Sequence, residues 1–165
     1  MNFNSQDEAF RYLTELYIRH VFVRVSLKGD DEKNFYFGRI HYVDTVHLIL
    51  YLVTNAQYDG LCCILLQNVK NVEEDKRFYS EMITFFGKDP LPLLSLTVDP
   101  QNVSKSVVQY AMSRNEPVSL TLVTGEKKCE KVKEIQNRFC VLADATKVCF
   151  HDINQITAES FWENQ

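Results

Sequence analysis

Long apolar runs are missing from this sequence. The longest, residues 46–53, is interrupted by His47 and falls far short of the roughly 20 residues that cross a bilayer. The first six residues are mostly polar, unlike the apolar core of a secretory leader. Five cysteines are present, but the count is odd and no Cys-x-x-Cys occurs. Neither a zinc site nor a disulfide framework is expected from such spacings. No Gly-rich phosphate loop, nucleophile-elbow serine or His-Glu-x-x-His is found, which removes the common signatures of nucleotide-dependent, hydrolytic and zinc-peptidase catalysis. Basic charge is not in excess either. Eighteen Lys and Arg against 22 Asp and Glu leave a net charge of -4, whereas proteins that hold polyanions through overall charge are basic. These absences predict a non-enzymatic protein without cofactor or metal, with no membrane partner and a cytoplasmic location. The thiols are expected to be reduced and mostly buried as small hydrophobes.

With 45% hydrophobic residues the chain is expected to fold rather than stay disordered. Ser5-Gln6-Asp7-Glu8 reads as a capping box. Phe10, Leu13, Leu16 and Tyr17 follow at helical spacing, predicting a helix over residues 6–19. The period then becomes two. Val21, Val23, Val25 and Leu27 predict a strand, followed by a turn at residues 28–31. Further strands are expected over residues 35–43, 46–53, 61–66 and 69–72. A polar loop is expected at 54–60, and a hinge at Gln67-Asn68. Gly38 inside the second strand marks a bend or a close backbone approach. Cys62 and Cys63, being adjacent, are expected to face opposite sides of their strand.

Residues 74–98 read as a helical linker. Phe78, Met82, Phe85 and Phe86 recur at helical spacing from a start near residue 73, Gly87 is a plausible C-cap, and Pro90 and Pro92 break the chain. The pattern then restarts. Asp99-Pro100 is a helix start, and Val103, Val107, Tyr110 and Ala111 form an apolar face that ends at Glu116-Pro117. Strands are expected near residues 118–122, 129–135, 139–142, 147–150 and 153–156. The two halves align with offsets of 97 for the first strand (Val21 to Val118), 92 for the second (Ile40 to Val132) and 84 for the last two (Ile64 to Val148). The offset changes only in proposed turns, where insertions are tolerated.

The expected fold class is therefore mainly β with helices. Two tandem helix-capped, five-stranded, bent antiparallel barrels are joined by a helical linker, with boundaries at residues 1–73, 74–98 and 99–165. Val23, Val25, Ile40, Leu50, Leu66, Val69, Leu120, Leu122, Val132, Val141 and Ile153 are the expected core.

Several motifs carry a family resemblance. Residues 116–125, Glu-Pro-Val-Ser-Leu-Thr-Leu-Val-Thr-Gly, follow a helix into a Pro-Val-Ser strand and a Gly turn. Residues 148–156, Val-Cys-Phe-His-Asp-Ile-Asn-Gln-Ile, place a His before two apolar residues three apart. Gly38-Arg39-Ile40, Val43-Asp44 and Leu48-Ile49-Leu50 repeat a Gly, Asp and apolar pattern. Together they resemble the bacterial Sm-like (Hfq/LSm) superfamily, as two diverged tandem units. The resemblance implies small barrels that form rings by pairing the fourth strand of one with the fifth of the next. It also implies binding of single-stranded RNA. Carried over residue by residue, the RNA-stacking aromatic falls on Val46 and Arg138. The Asp is Asp44 in the first half and Gln136 in the second, and the Tyr-Lys-His triplet falls on Leu65-Leu66-Gln67 and Cys149-Phe150-His151.

The candidate RNA-binding residues are thus His151, Arg138, Lys131, Lys133, Gln67 and Asp44, with contacts relocated or weakened relative to the family. Lys127, Lys128, Lys131 and Lys133 alternate with Glu126, Glu130 and Glu134. They form either a solvated hairpin or a strip that contacts phosphates. His20, His41 and His47 share no metal spacing. Asp44 and His47, three apart, would face opposite sides of a strand. The alternative function is a non-enzymatic oligomeric scaffold or protein adaptor that does not bind RNA. Residues 5–76 carry eight Lys/Arg and eleven Asp/Glu, residues 105–147 eight and five. Halves of opposite sign favour contact between unlike halves. A homo-oligomer is expected, either a trimer closing a six-barrel ring or a dimer.

Overall fold

A computed structural model describes residues 1–31, 33–54, 57–86 and 96–158. Among these the chain is mainly β, with ten strands, three α-helices and two single 3-10 turns. Contacts divide it into two compact units. The first is Met1–Asp59 with Ile64–Leu93; the second is Gly60–Cys63 with Leu94–Gln165. No helix among the described residues is long and apolar enough to cross a membrane.

The first unit opens with α1, Gln6–Ile18. Ser5 caps it, its hydroxyl accepting the Glu8 amide at 3.1 Å. The return bond goes to Asn4, whose amide donates to the Glu8 carboxylate. Ala9, Leu13 and Leu16 are buried, while Tyr17 lies outside the packed face. The helix stops at Arg19, and His20 takes a left-handed φ of 53°. Five strands follow: β1 (Phe22–Leu27), β2 (Tyr36–Val43), β3 (His47–Thr54), β4 (Gln57–Leu65) and β5 (Val69–Glu74). They are ordered β5-β1-β2-β3-β4. β4 and β5 are separated by the 3-10 turn Leu66–Asn68, the expected hinge, and α1 packs on β2 and on that turn.

Two boundaries differ from expectation. β4 begins at Gln57, inside the segment read as a polar loop. Ladder pairing there overrides the turn character of Asp59-Gly60. The linker helix α2, Lys76–Phe86, begins after residue 75, because Glu73 and Glu74 belong to β5 and pair with Arg24 and Val23. Asp75 accepts the Phe78 amide at 2.8 Å. Phe78 meets Phe22 and Phe37 edge-on, at centroid separations of 5.1 and 4.6 Å. The C-cap read at Gly87 and the breaks at Pro90 and Pro92 lie outside the described residues.

In the second unit α3 spans Val103–Ser113 and buries Val103, Val107, Tyr110 and Ala111. It starts later than Asp99-Pro100 implied, because Asp99 closes its own turn, accepting from the Gln101 amide and the Asn102 side chain. The helix ends before Asn115, at φ 56°. Five strands follow: β6 (Pro117–Leu122), β7 (Lys127–Ile135), β8 (Phe139–Leu142), β9 (Lys147–Cys149) and β10 (Ile153–Ala158). Their order is β10-β6-β7-β8-β9. A 3-10 turn, Phe150–Asp152, precedes β10, and α3 packs on β10, β7 and β6. β4, whose residues Gly60–Cys63 count with this unit, borders β10 on its other edge.

The two units share one hydrogen-bond plan. Val25 pairs with Val72 and Leu120 with Ile156. Ile40 pairs with Leu50 and Val132 with Leu142, each followed by a bulge before Tyr42 or Glu134. The Lys28 amide donates to Asn68 O as the Val123 amide does to Asp152 O. The Leu66 amide donates to Val46 O as the Phe150 amide does to Arg138 O. These bonds give offsets of 92 for β2 (40 to 132) and 84 for β5 (72 to 156), as aligned from sequence. For β1 the offset is 95 (25 to 120) rather than 97. A period-two apolar pattern keeps its face when slipped by two residues, so only the ladder reveals the true register. Offset 95 also matches Arg19 with Arg114 and left-handed His20 with Asn115.

Nine of the eleven expected core residues are buried. The exceptions, Leu122 and Val141, are half-buried. Leu122 ends its strand. Val141 lies in an all-apolar tetrapeptide, Phe139–Leu142, that alternates in burial but not in hydrophobicity.

Candidate nucleic-acid interface

Backbone hydrogen bonding assembles the candidate residues at the strand turns. In the second unit the Gln136 amide closes the β7–β8 turn on Phe139 O at 2.8 Å. The Phe150 amide then reaches Arg138 O at 3.0 Å. Arg138 and His151 are thereby brought to one tip, Arg138 exposed and the His151 side chain 80% exposed, its Nε2 3.2 Å from Asp152 Oδ1. Phe139, Val141, Lys147 and Cys149 share the outward face of β8 and β9, because Cys140, Leu142 and Val148 are buried on the other. The Lys147 ammonium sits 3.8 Å from the centroid of the Phe139 ring, a cation–π contact. Sequence reasoning missed Phe139 and Lys147. They are eight residues apart, and only antiparallel pairing across the β8–β9 turn makes them diagonal neighbours.

The same plan in the first unit places Val46 beside Leu66-Gln67, through the Leu66 amide to Val46 O bond at 2.8 Å. Gln67 is exposed and Val46 is 45% exposed. Asp44 occupies the β2–β3 turn rather than a strand, so it meets His47 after all, Oδ1 lying 3.4 Å from His47 Nδ1. Its Oδ1 also accepts the amides of Val46 (2.7 Å) and His47 (2.6 Å), and Oδ2 accepts the Tyr42 hydroxyl (2.8 Å). Burial would raise its pKa. The His47 and Val46 amides, the Tyr42 hydroxyl and the nearby His47 outweigh that and hold it below the usual carboxylate value. Asp44 spends its acceptors on building the turn.

Lys131 and Lys133 are exposed on β7, flanking buried Val132, and Lys131 lies opposite Pro117. They sit along the strand and not at the tip with Arg138 and His151. Lys128 is engaged differently, 3.5 Å from Glu126 and 4.0 Å from Asp144. A depression of about 380 Å³ beside α1 is lined by Asp7, Glu8, Glu15 and a single Arg11, an unfavourable setting for phosphate. Among the described residues no three His, Cys, Asp or Glu side chains come together to hold a metal. None of the five cysteines is in a disulfide; Cys62, Cys63 and Cys140 are buried, and only Cys129 is exposed. No protein-family model, curated protein or solved structure matches the chain.

Proposed function

We propose that the chain is a tandem Sm-like protein, two bent helix-capped barrels in one polypeptide, that binds single-stranded RNA at the β7–β8 tip of its second unit. Support for the fold comes from a shared plan. In both units a helix precedes five strands ordered five-one-two-three-four, the second strand is bulged at the same place, and a 3-10 turn separates the last two. The observation that carries the RNA reading is the joining of Arg138 to the Phe150-His151 turn, beside Lys147 on Phe139. Arg138 and Lys147 supply charge for phosphates, Phe139 holds the Lys147 ammonium in place, and the exposed His151 offers a ring face for a base. Lys131 and Lys133 extend the basic strip along β7. The first unit contributes less, having Val46, Leu66 and Gln67 at the corresponding tip. Val46, 45% exposed at that tip, is what favours the second reading, a protein-binding scaffold without RNA. Neither reading involves catalysis, and mostly buried thiols outside any disulfide suit a reducing cytoplasm.

The test is binding of short oligo-uridine and oligo-adenosine at two salt concentrations, after purification with the ultraviolet absorbance ratio recorded. Binding that weakens with salt is expected. An Arg138→Ala, Lys147→Ala pair should bind more weakly, with the log–log salt slope lower by about 1.4, roughly 0.7 for each lost phosphate contact on a single strand. Absence of binding at low salt, or an unchanged slope in the pair, would favour the scaffold.

A further inference from the structure

The outer edges of the two fifth strands are covered differently. β10 is bordered by β4, and Cys62 Sγ receives the Gln155 amide nitrogen at 3.6 Å and the Thr157 hydroxyl at 3.7 Å. Cys62 therefore faces the stretch centred on Ile156. The counterpart of Ile156, at offset 84, is Val72 in β5. There the edge is held by the chain's own first residues. Asn2 bridges Asn71 in antiparallel fashion, the Val72 amide donates to Met1 O at 3.0 Å, and the Met1 nitrogen donates to Val72 O at 2.6 Å. A two-residue strap thus fills the position that a nine-residue strand borders in the other unit.

We infer that residues 1–2 are a displaceable strap that keeps the β5 edge from accepting β9 of a second copy of this chain. The inference rests on the Sm-like reading for the meaning of the shared plan, and on no RNA contact. The occupant follows from three observations. β9 is the counterpart of the end of β4 (147–149 to 63–65), the strand that borders β10. Its other edge has no strand partner among the described residues, since β9 closes the strand order next to β8. Charge agrees as well: β5 ends in Glu73 and Glu74 while β9 begins with Lys147. The surrounding segments are net negative over residues 5–76 and net positive over residues 105–147. An unpaired strand edge is a template for another strand. One bridge, two backbone hydrogen bonds and the Met1 nitrogen on Asn71 Oδ1 make a short cover beside a nine-residue strand, and each such bond contributes only modestly once the competing bonds to water are counted.

The experiment removes residues 2–4, so that Met1 directly precedes Ser5, and follows mass by light scattering over a concentration series. With the strap in place the whole chain is expected to stay near 19.3 kDa, in contrast to the homo-oligomer expected from the sequence alone. The shortened chain is expected to rise to at least twice that, and a peptide of residues 1–6 added in excess should lower it again. A second variant, Asn2→Glu, keeps the other contacts and sets a carboxylate diagonal to Glu73; it should shift association the same way, more weakly. The strap is overturned if the whole chain associates as strongly as the shortened one. It is equally overturned if both variants, folded by circular dichroism, remain monomeric. Should the shortened chain fail to fold, Asn2→Glu alone decides. Strap failure with RNA binding intact leaves the RNA reading standing, and strap success without RNA binding leaves only the scaffold.

Discussion

Gly38 offers the sharpest test of the register. It pairs with Val23 on one side and Leu52 on the other. A Cβ placed there would lie 2.0 Å from Tyr51 O, 2.8 Å from Tyr51 C and 3.1 Å from Leu52 Cα. Non-bonded carbon contacts settle at about 3.5–4.0 Å, so the backbone of β3 would have to retreat by more than about 1 Å. A ladder carbonyl cannot do so and keep its bonds. Overpacking costs about 1–3 kcal/mol, occasionally more. The opposing gain from a stiffer unfolded chain is about 0.4–1 kcal/mol. Gly38→Ala should therefore destabilise by about 2 kcal/mol or more. With a urea slope of about 1–3 kcal/mol/M, the unfolding midpoint should drop by roughly 1 M. The internal control is Glu130, the counterpart of Gly38 at offset 92. β8 stops at Leu142 and the chain's next bond to β7 runs from the Ala143 amide to Lys131 O, so the counterpart of Leu52 forms no ladder pair with Glu130, whose own Cβ is already accommodated. Glu130→Ala should stay within about 0.5 kcal/mol of the parent. A Gly38→Ala protein with an unchanged midpoint, or a Glu130→Ala protein as damaged as Gly38→Ala, would refute the register argument.

Leu120→Ala empties a side chain only 1% exposed and should cost about 2–5 kcal/mol; an unaltered thermal melt would count against its core position. Asp44 has its folded pKa held below the ordinary 3.8. Its contribution is therefore complete above that value and is lost as pH falls below it, so denaturant midpoints measured downward from pH 6 should fall more steeply for the parent than for Asp44→Ala. Burial raises the Cys140 thiol from 9.0 to about 11. Stability tied to the neutral thiol should hold below pH 9 and decline as pH climbs through 11, and Cys140→Ala should flatten that decline. In native protein a thiol reagent should modify Cys129 first and leave Cys62, Cys63 and Cys140 unmodified until unfolding.

Much of the local structure was legible because it depends on neighbouring residues. The Ser5–Glu8 box and the Gln67-Asn68 hinge are set within a few positions of sequence, and Gly38 announced its close approach to β3 by residue type alone. What escaped depends on pairing. A two-residue slip of β1 leaves Val23 and Val25 on the same face, so hydrophobicity cannot choose between offsets. Tyr58-Asp59-Gly60 has turn composition and becomes strand because a neighbour supplies the ladder. Asp99 can cap a helix or close its own turn with equal local chemistry. At the candidate site the resemblance located Arg138 and His151 one motif at a time, whereas Phe139 with Lys147 is a cross-strand pair that no linear motif records.

Gly60–Cys63 lies in the first half of the chain but counts with the second unit. Distance along the sequence is therefore a poor guide to what a substitution will disturb. Changes at Cys62 should register in the hydrogen exchange of Gln155–Thr157 before they register in α1. A protease cut between residues 86 and 96 would not release the second unit whole. It would leave part of that unit's sheet on the other fragment, so the two pieces should remain associated until denatured, and neither should be expected to refold alone with its edges satisfied.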